Sequence, residues 1–350
     1  MSEAARSTVK VETPLELPRP YLLFVGDVSE PAFCKTAFGL RDWAPDAVVG
    51  QYACSADAID LGLPFLTPLE ARARGARSML IGVANTGGYI ADAWVPSLVK
   101  ALEGGLDLVS GLHAKLADVP VVRAAAEAHG RRLVDIRRPP AGIPVGTGER
   151  RSGKRLLTVG TDCALGKKYT ALSLARAFAE RGLAADFRAT GQTGIMIAGG
   201  GMPMDAVVAD FEAGAAEMLS PAAAPDHWDV IEGQGSLFHP SYAAVSLGLL
   251  HGSQPDVIVV CHEPGRKELL GHPGFALPSL EETIDLNVRL ARRTNPAARC
   301  GGISLNTSAM TEAEAAEELR RTSERLGVPA ADPIRRGAPF ERLVDACLSG

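Results

Sequence analysis

The chain has 350 residues, enough for two domains that each bury a core of ordinary size. Hydrophobic residues make up 46% and charged residues 22%, and no apolar run approaches the roughly 18 residues of a membrane span, so a soluble globular protein is expected. A formal net charge of -5 leaves no basic surplus for a nucleic-acid backbone, which excludes polymer binding from the expected functions.

Residues 1–19 carry prolines and mixed charge without periodicity and are expected to form a flexible lead. From residue 20 to 140, short apolar runs (21–25, 47–51, 78–83, 107–109 and 132–136) alternate with helix-compatible stretches such as 91–102 and 119–129. That alternation predicts a parallel sheet covered on both faces, an N-terminal Rossmann-like α/β domain. Proline and glycine then concentrate in residues 138–148, so 141–154 reads as a linker. The alternation restarts at residue 155, with strands at 155–159, 185–189, 228–231, 256–261 and 301–305 and helices at 167–181, 205–219, 280–293 and 311–326. Residues 155–350 are expected to form a second three-layer α/β domain, of P-loop NTPase-like type.

The strongest local signal is Gly160-Thr161-Asp162-Cys163-Ala164-Leu165-Gly166-Lys167, between a predicted strand and a predicted helix. A loop in that position points backbone N–H groups at a guest, and the helix N-terminus adds positive potential, which suits phosphate oxygens. Gly166 permits close approach and Lys167 brings a point charge to a pyrophosphate. Lys168 and Tyr169 complete the expected cofactor-binding run.

Lys168 is a departure as informative as the match. A P-loop that holds Mg-ATP carries Ser or Thr after its lysine, and that hydroxyl binds the metal. A second ammonium in its place favours a phosphate-bearing ligand that is held and not cleaved. No metal is expected: His227, His239, His251, His262 and His272 form neither an HExxH nor a Cys/His cluster. The cysteines Cys34, Cys54, Cys163, Cys261, Cys300 and Cys347 are scattered without CxxC spacing or a secretory leader, as in reduced thiols of a cytoplasmic protein.

The Thr161-Asp162 pair followed by Gly166-Lys167 resembles the loop of dethiobiotin-synthetase-like P-loop proteins, and Glu232-Gly233-Gln234-Gly235 is similar to the turn that ends their third strand. A closer resemblance covers the chain from about residue 21 to its C-terminus. It rests on Ile81 to Gly88, Gly105 to His113, the phosphate loop, Ala189 to Gly194, Asp205 to Phe211 and Glu232 to Ser236, in that order along the chain. Together these segments resemble the D-glutamate N-acetyltransferase family, long catalogued as a domain of unknown function. The resemblance implies transfer of an acetyl group from acetyl-CoA to the amino group of D-glutamate or a close amino acid. Coenzyme A carries a pyrophosphate, which fits a P-loop stripped of its magnesium hydroxyl.

Amide formation needs a base, donors for the oxyanion and a site that orients the acceptor. Glu232, at the end of its strand, is a candidate base or orienter, or else a carboxylate in a hydrogen-bond network. His239 is a candidate base, or a histidine fixed by neighbouring backbone. Arg188 can grip an acidic acceptor bidentately, or face a structural partner inside its strand. Gln192 and Thr193, in a glycine-bounded loop, suit carboxylate or carbonyl recognition, or else the glycines are turn punctuation. Asn85 and His113 follow the third and fourth strands and either line the acceptor site or a dimer contact, or are plain loop. His262 and Arg266 can bind a carboxylate or a phosphate, or form a polar strand-end turn. Small-molecule substrates and a homo-oligomer are expected. An ATP-dependent ligase of the dethiobiotin-synthetase type and a non-catalytic nucleotide-binding protein remain alternatives.

Overall fold

The computed structural model describes residues 15–349. They form two compact units, one of residues 15–139 with Gln192–Ala206, the other of residues 140–191 and 207–349. Among the described residues no helix is long and apolar enough to cross a membrane.

The first unit opens with β1 (Leu15–Glu16), then β2 (Tyr21–Gly26), α1 (Lys35–Trp43), β3 (Val48–Ala53), α2 (Pro68–Ala73) and β4 (Ser78–Ile81). It continues with α3 (Val95–Glu103), β5 (Asp107–Ser110), α4 (Pro120–His129) and β6 (Leu133–Asp135). Five of these strands make a parallel sheet in the order β3-β2-β4-β5-β6. Every residue of β2 is buried, as a central strand covered on both faces requires. The helices carry local signals of their own: a Thr67–Glu70 capping box starts α2, and Gly130 ends α4 in the left-handed region at φ 59°.

The second unit starts with β7 (Lys154–Gly160), α5 (Lys167–Glu180) and β8 (Ala185–Arg188). After β8 the chain leaves it: α6 (Gln192–Ala198) and β9 (Gly200–Gly201) belong to the first unit. The chain then returns as α7 (Glu212–Leu219), β10 (Trp228–Ile231), α8 (Ala243–Ser253), β11 (Val257–His262) and α9 (Leu280–Ala291). The last elements are β12 (Arg299–Leu305), α10 (Glu312–Leu326), β13 (Ala330–Ala331) and α11 (Gly337–Leu348). The sheet is parallel in the order β13-β12-β11-β7-β10-β8. Phe178 and Trp228 pack edge to face at 5.2 Å in its core, beside Leu156, Val230 and Phe340.

Three expectations are corrected. Residues 1–14 of the expected flexible lead lie outside the described residues, but Leu15–Glu16 pair antiparallel with Gly200–Gly201, and Leu17 is buried. The contiguous second domain is interrupted, because Ile195, Met196 and Ile197 bury their side chains and Met196 accepts a 3.1 Å hydrogen bond from the Tyr21 hydroxyl of the first unit. The single helix expected over 205–219 is two short 3₁₀ turns followed by α7, since the chain passes from one unit to the other at residue 206 and changes direction there.

Candidate functional site

In the second unit β7 and β11 are neighbours, and the connection after β7 runs toward β8 on one side while that after β11 runs toward β12 on the other, the place where open α/β sheets receive ligands. The loop Gly160–Lys167 starts at that end. Ala164 and Gly166 have φ of 54° and 102°, and left-handed residues in such a loop turn successive N–H groups toward one concave side. Among the described residues, the N–H groups of Ala164, Leu165 and Gly166 meet no acceptor. No acidic residue occupies the first turn of α5, so its positive end is uncompensated.

Lys167 is buried and its Nζ donates to the carbonyl of Asp162 at 2.7 Å. The Thr158 hydroxyl, on β7 ahead of the loop, accepts the N–H of Gly233 at 2.9 Å. A Cβ on Gly233 would stand 1.7 Å from the Thr158 carbonyl oxygen, so only glycine fits this contact between β7 and the turn after β10. The glycine of Glu232-Gly233-Gln234-Gly235 is thereby part of the loop's support.

Glu232 is buried and holds the chain beyond β8. Its Oε2 accepts the N–H groups of Thr190 and Gly191 at 3.0 and 3.1 Å, and its carbonyl accepts the Thr190 hydroxyl at 2.7 Å. Burial pushes its carboxyl above the usual range, opposed by the charges of Lys168 and Lys167 and by those two N–H groups. Burial pushes both lysines down. Lys168 also lies over the ring of Tyr169 at 4.4 Å. Of the two readings of Glu232, the geometry matches the carboxylate in a hydrogen-bond network. The Thr170 hydroxyl on the same helix is turned to Gly166 and Ser304 at 3.1 and 2.8 Å, and Lys168 occupies the position where a metal-binding hydroxyl would stand.

Asp162 organises the rim. Burial favours its neutral form, but the N–H groups of Leu270 and Cys163 and the guanidinium of Arg266 outweigh that and hold its carboxyl below the usual range. Leu270 donates at 2.8 Å and Arg266 at 2.8 Å, and Arg266 also reaches the Cys163 carbonyl at 2.9 Å and pairs with Glu263. The segment after β11 is therefore folded down onto the loop. His262, at the end of β11, faces the Thr161 hydroxyl through Nδ1 at 3.0 Å. Asp162, Cys163 and His239 offer ligand atoms within 4.8 Å of one another, as do Asp186, His227 and Asp229. A guanidinium already answers each carboxylate set: Arg266 that of Asp162, Arg188 those of Asp186 and Asp229.

The contacts of His239 and Arg188 match the structural alternative for each. The Nδ1 of His239 accepts the N–H of Ser241 at 3.1 Å, so the neutral ring has spent its one lone pair and presents an N–H to Asp162 Oδ1, 4.0 Å away. In that tautomer it faces the loop as a donor. Arg188 is committed to Asp229 at 2.6 Å and Asp186 at 3.0 Å within the sheet, the structural alternative to meeting a substrate.

The remaining candidates sit in the first unit. Asn85 follows β4 and donates from Nδ2 to the Tyr89 carbonyl at 3.0 Å, while its buried Oδ1 has no partner among the described residues. His113 follows β5 and packs on Gly88, where a Cβ would lie 2.7 Å from its ring. Gln192 and Thr193 open α6 in place of the expected loop. Gln192, with its amide turned to satisfy both neighbours, bridges the Gly111 carbonyl and Arg137, and Thr193 meets the Thr36 hydroxyl at 3.2 Å. Arg137, which also pairs with Asp205, was not marked by any sequence motif; its only signal was a basic residue directly after a strand. Tyr242, His272 and Phe275 beside His239 were equally unmarked.

Fold and loop together define a two-domain α/β protein that joins a Rossmann-like unit to a P-loop unit. A "Domain of unknown function (DUF1611_C) P-loop domain" matches residues 144–344, and a "Domain of unknown function (DUF1611_N) Rossmann-like domain" matches residues 47–139. A D-glutamate N-acetyltransferase from Tritonibacter scottomollicae is 51% identical over 93% of this chain and 98% of its own length. Another from a Pseudoalteromonas species is 46% identical over 92% and 97%. The crystal structure of a DUF1611 family protein from Anabaena variabilis superposes with a TM-score of 0.83 at 33% identity, covering 95% of this chain and 100% of that one. The chain belongs to the DUF1611 family, that of the D-glutamate N-acetyltransferases its motifs resemble.

Proposed function

We propose that the protein transfers an acetyl group from acetyl-CoA to the amino group of D-glutamate, with the phosphate loop holding the coenzyme's pyrophosphate. The acyltransferase class follows from curated relatives that match almost end to end. The donor and the loop's role rest on one observation: Lys168 stands where Mg-ATP proteins keep a hydroxyl, beside a Glu232 already held by two backbone N–H groups. Two ammonium groups and free loop N–H groups neutralise a pyrophosphate without a metal.

In the reaction the acceptor nitrogen, freed of its proton, attacks the thioester carbonyl, the carbon–sulfur bond breaks, and the coenzyme leaves as a thiol. Loop anchoring of the pyrophosphate leaves the thioester at the far end of a long arm, which puts the bond-making away from Lys167. Asn85, His113, Gln192 and Thr193 are the acceptor-binding candidates of this reading, with the cytoplasm as its compartment, in keeping with six unpaired cysteines.

The test supplies acetyl-CoA and D-glutamate in the presence of a chelator and follows free thiol. Thiol release dependent on D-glutamate is expected, with no requirement for magnesium. Hydrolysis of Mg-ATP without any thiol release would instead establish the ligase alternative.

A further inference from the structure

A row of four aromatic rings runs outward from the phosphate loop. His239 is almost completely buried and lies 4.0 Å from Asp162 through Nε2. Tyr242 stacks on it at 4.5 Å and 30°, His272 meets it edge-on at 4.6 Å, and Phe275 packs on His272 at 6.0 Å. The two outer rings, Tyr242 and Phe275, are 52% and 51% exposed. Tyr242 is at the start of α8, its ring against the histidine and the residue about half exposed.

We propose that this ring cluster, through the exposed rings of Tyr242 and Phe275, stacks the adenine ring of the coenzyme whose pyrophosphate the loop holds. This rests on the assignment of coenzyme A to that loop. Three observations carry it. The ring face starts one imidazole away from the phosphate cradle, and a nucleotide's base lies one ribose from its phosphates. The outer rings are fixed before any ligand arrives: Tyr242 caps the start of α8, and the loop that carries His272 and Phe275 is tied internally by Leu269 to Phe275 at 2.9 Å, His272 to Leu269 at 3.0 Å and Leu277 to Lys267 at 2.9 Å, and to Asp162 through Leu270. Burial keeps His239 below its ordinary pKa and hence neutral, so it backs the stack as a flat, uncharged ring. A purine gains specifically from such a face. The saturated pantetheine arm has no ring to stack, and a small dicarboxylate has almost no apolar surface to cover it.

The face also separates two ways of holding the same coenzyme. Arg266 and Lys168 bracket the loop with charge, which serves every phosphate ester alike. Only the rings distinguish ligands that carry a base from those that do not.

Calorimetric titration with three probes tests this: coenzyme A, adenosine 3',5'-bisphosphate, and 4'-phosphopantetheine, which lacks the base. Tyr242→Ala is expected to weaken the first two about tenfold, the size of one stacked base, and to leave 4'-phosphopantetheine unchanged. Tyr242→Trp is expected to restore the affinity, which a merely structural tyrosine would not require. Phe275→Ala, on an exposed side chain, gives a smaller loss with the same pattern. Wild-type affinity for coenzyme A in both alanine variants, or an equal loss for all three probes, overturns the ring face alone. A wild-type protein that binds no coenzyme A overturns the loop assignment and the ring face with it.

Discussion

The Nζ of Lys167 donates to the main-chain carbonyl of Asp162 at 2.7 Å, closing the phosphate loop on itself across five residues. That contact holds the ammonium over the cradle before a ligand is present. Lys167→Ala is expected to weaken coenzyme binding by about 1.5 to 3 kcal/mol, the worth of a charge-assisted hydrogen bond. Unchanged affinity in a titration with acetyl-CoA would place the pyrophosphate elsewhere.

Lys168→Thr restores the hydroxyl that magnesium uses in nucleotide-cleaving P-loops and removes a charge from beside Glu232. Coenzyme affinity is expected to fall roughly tenfold or more, in proportion to one charged contact, while Mg-ADP binding rises above the wild-type level. Paired titrations read both. A variant that keeps full coenzyme affinity removes Lys168 from the phosphate site.

Gly233→Ala drives a methyl group to 1.7 Å from the Thr158 carbonyl oxygen and disrupts the N–H to Thr158 hydroxyl contact. A loss on the order of 3 kcal/mol is expected from the overlap, measured as a lowered urea midpoint. A midpoint equal to wild type would mean that the turn after β10 moves freely.

Acid should destabilise the fold in a defined window. Burial pushes His239, His251 and His262 below their ordinary 6.5. The unfolded chain takes up protons near that value, and the folded chain takes them up only at lower pH. Their contribution is therefore intact above 6.5 and is lost as pH falls below it. Urea midpoints measured from about pH 8 down to about pH 5 are expected to drop only in the lower half, and less so in His262→Asn. A flat profile would contradict the burial of these rings as neutral groups.

The phosphate loop was legible because everything that defines it is local: an apolar strand, a glycine-bounded turn, a lysine and a helix, consecutive in the chain. Strand alternation exposed both sheets for the same reason. What escaped was set by distant partners. Gln192 to Gly194 looks like turn punctuation, yet it opens α6, because Ile195 to Ile197 find their burial against the first unit and not against their sequence neighbours. Arg188 and His239 had plausible chemistry as isolated residues. Asp229 claims the first and the Ser241 N–H the second, and neither claim is visible in sequence. The ring cluster was hidden too, since its two pairs, His239 with Tyr242 and His272 with Phe275, lie far apart in the chain.

The excursion of α6 and β9 carries a further consequence for how this protein can be dissected or inherited. A gene cut at the proline-rich linker would yield a first fragment missing the strand that pairs with Leu15–Glu16, and a second fragment burdened with an orphaned apolar helix. Neither half is a portable module. Recombination at that point would part β9 from the strand it pairs with and is penalised for that reason.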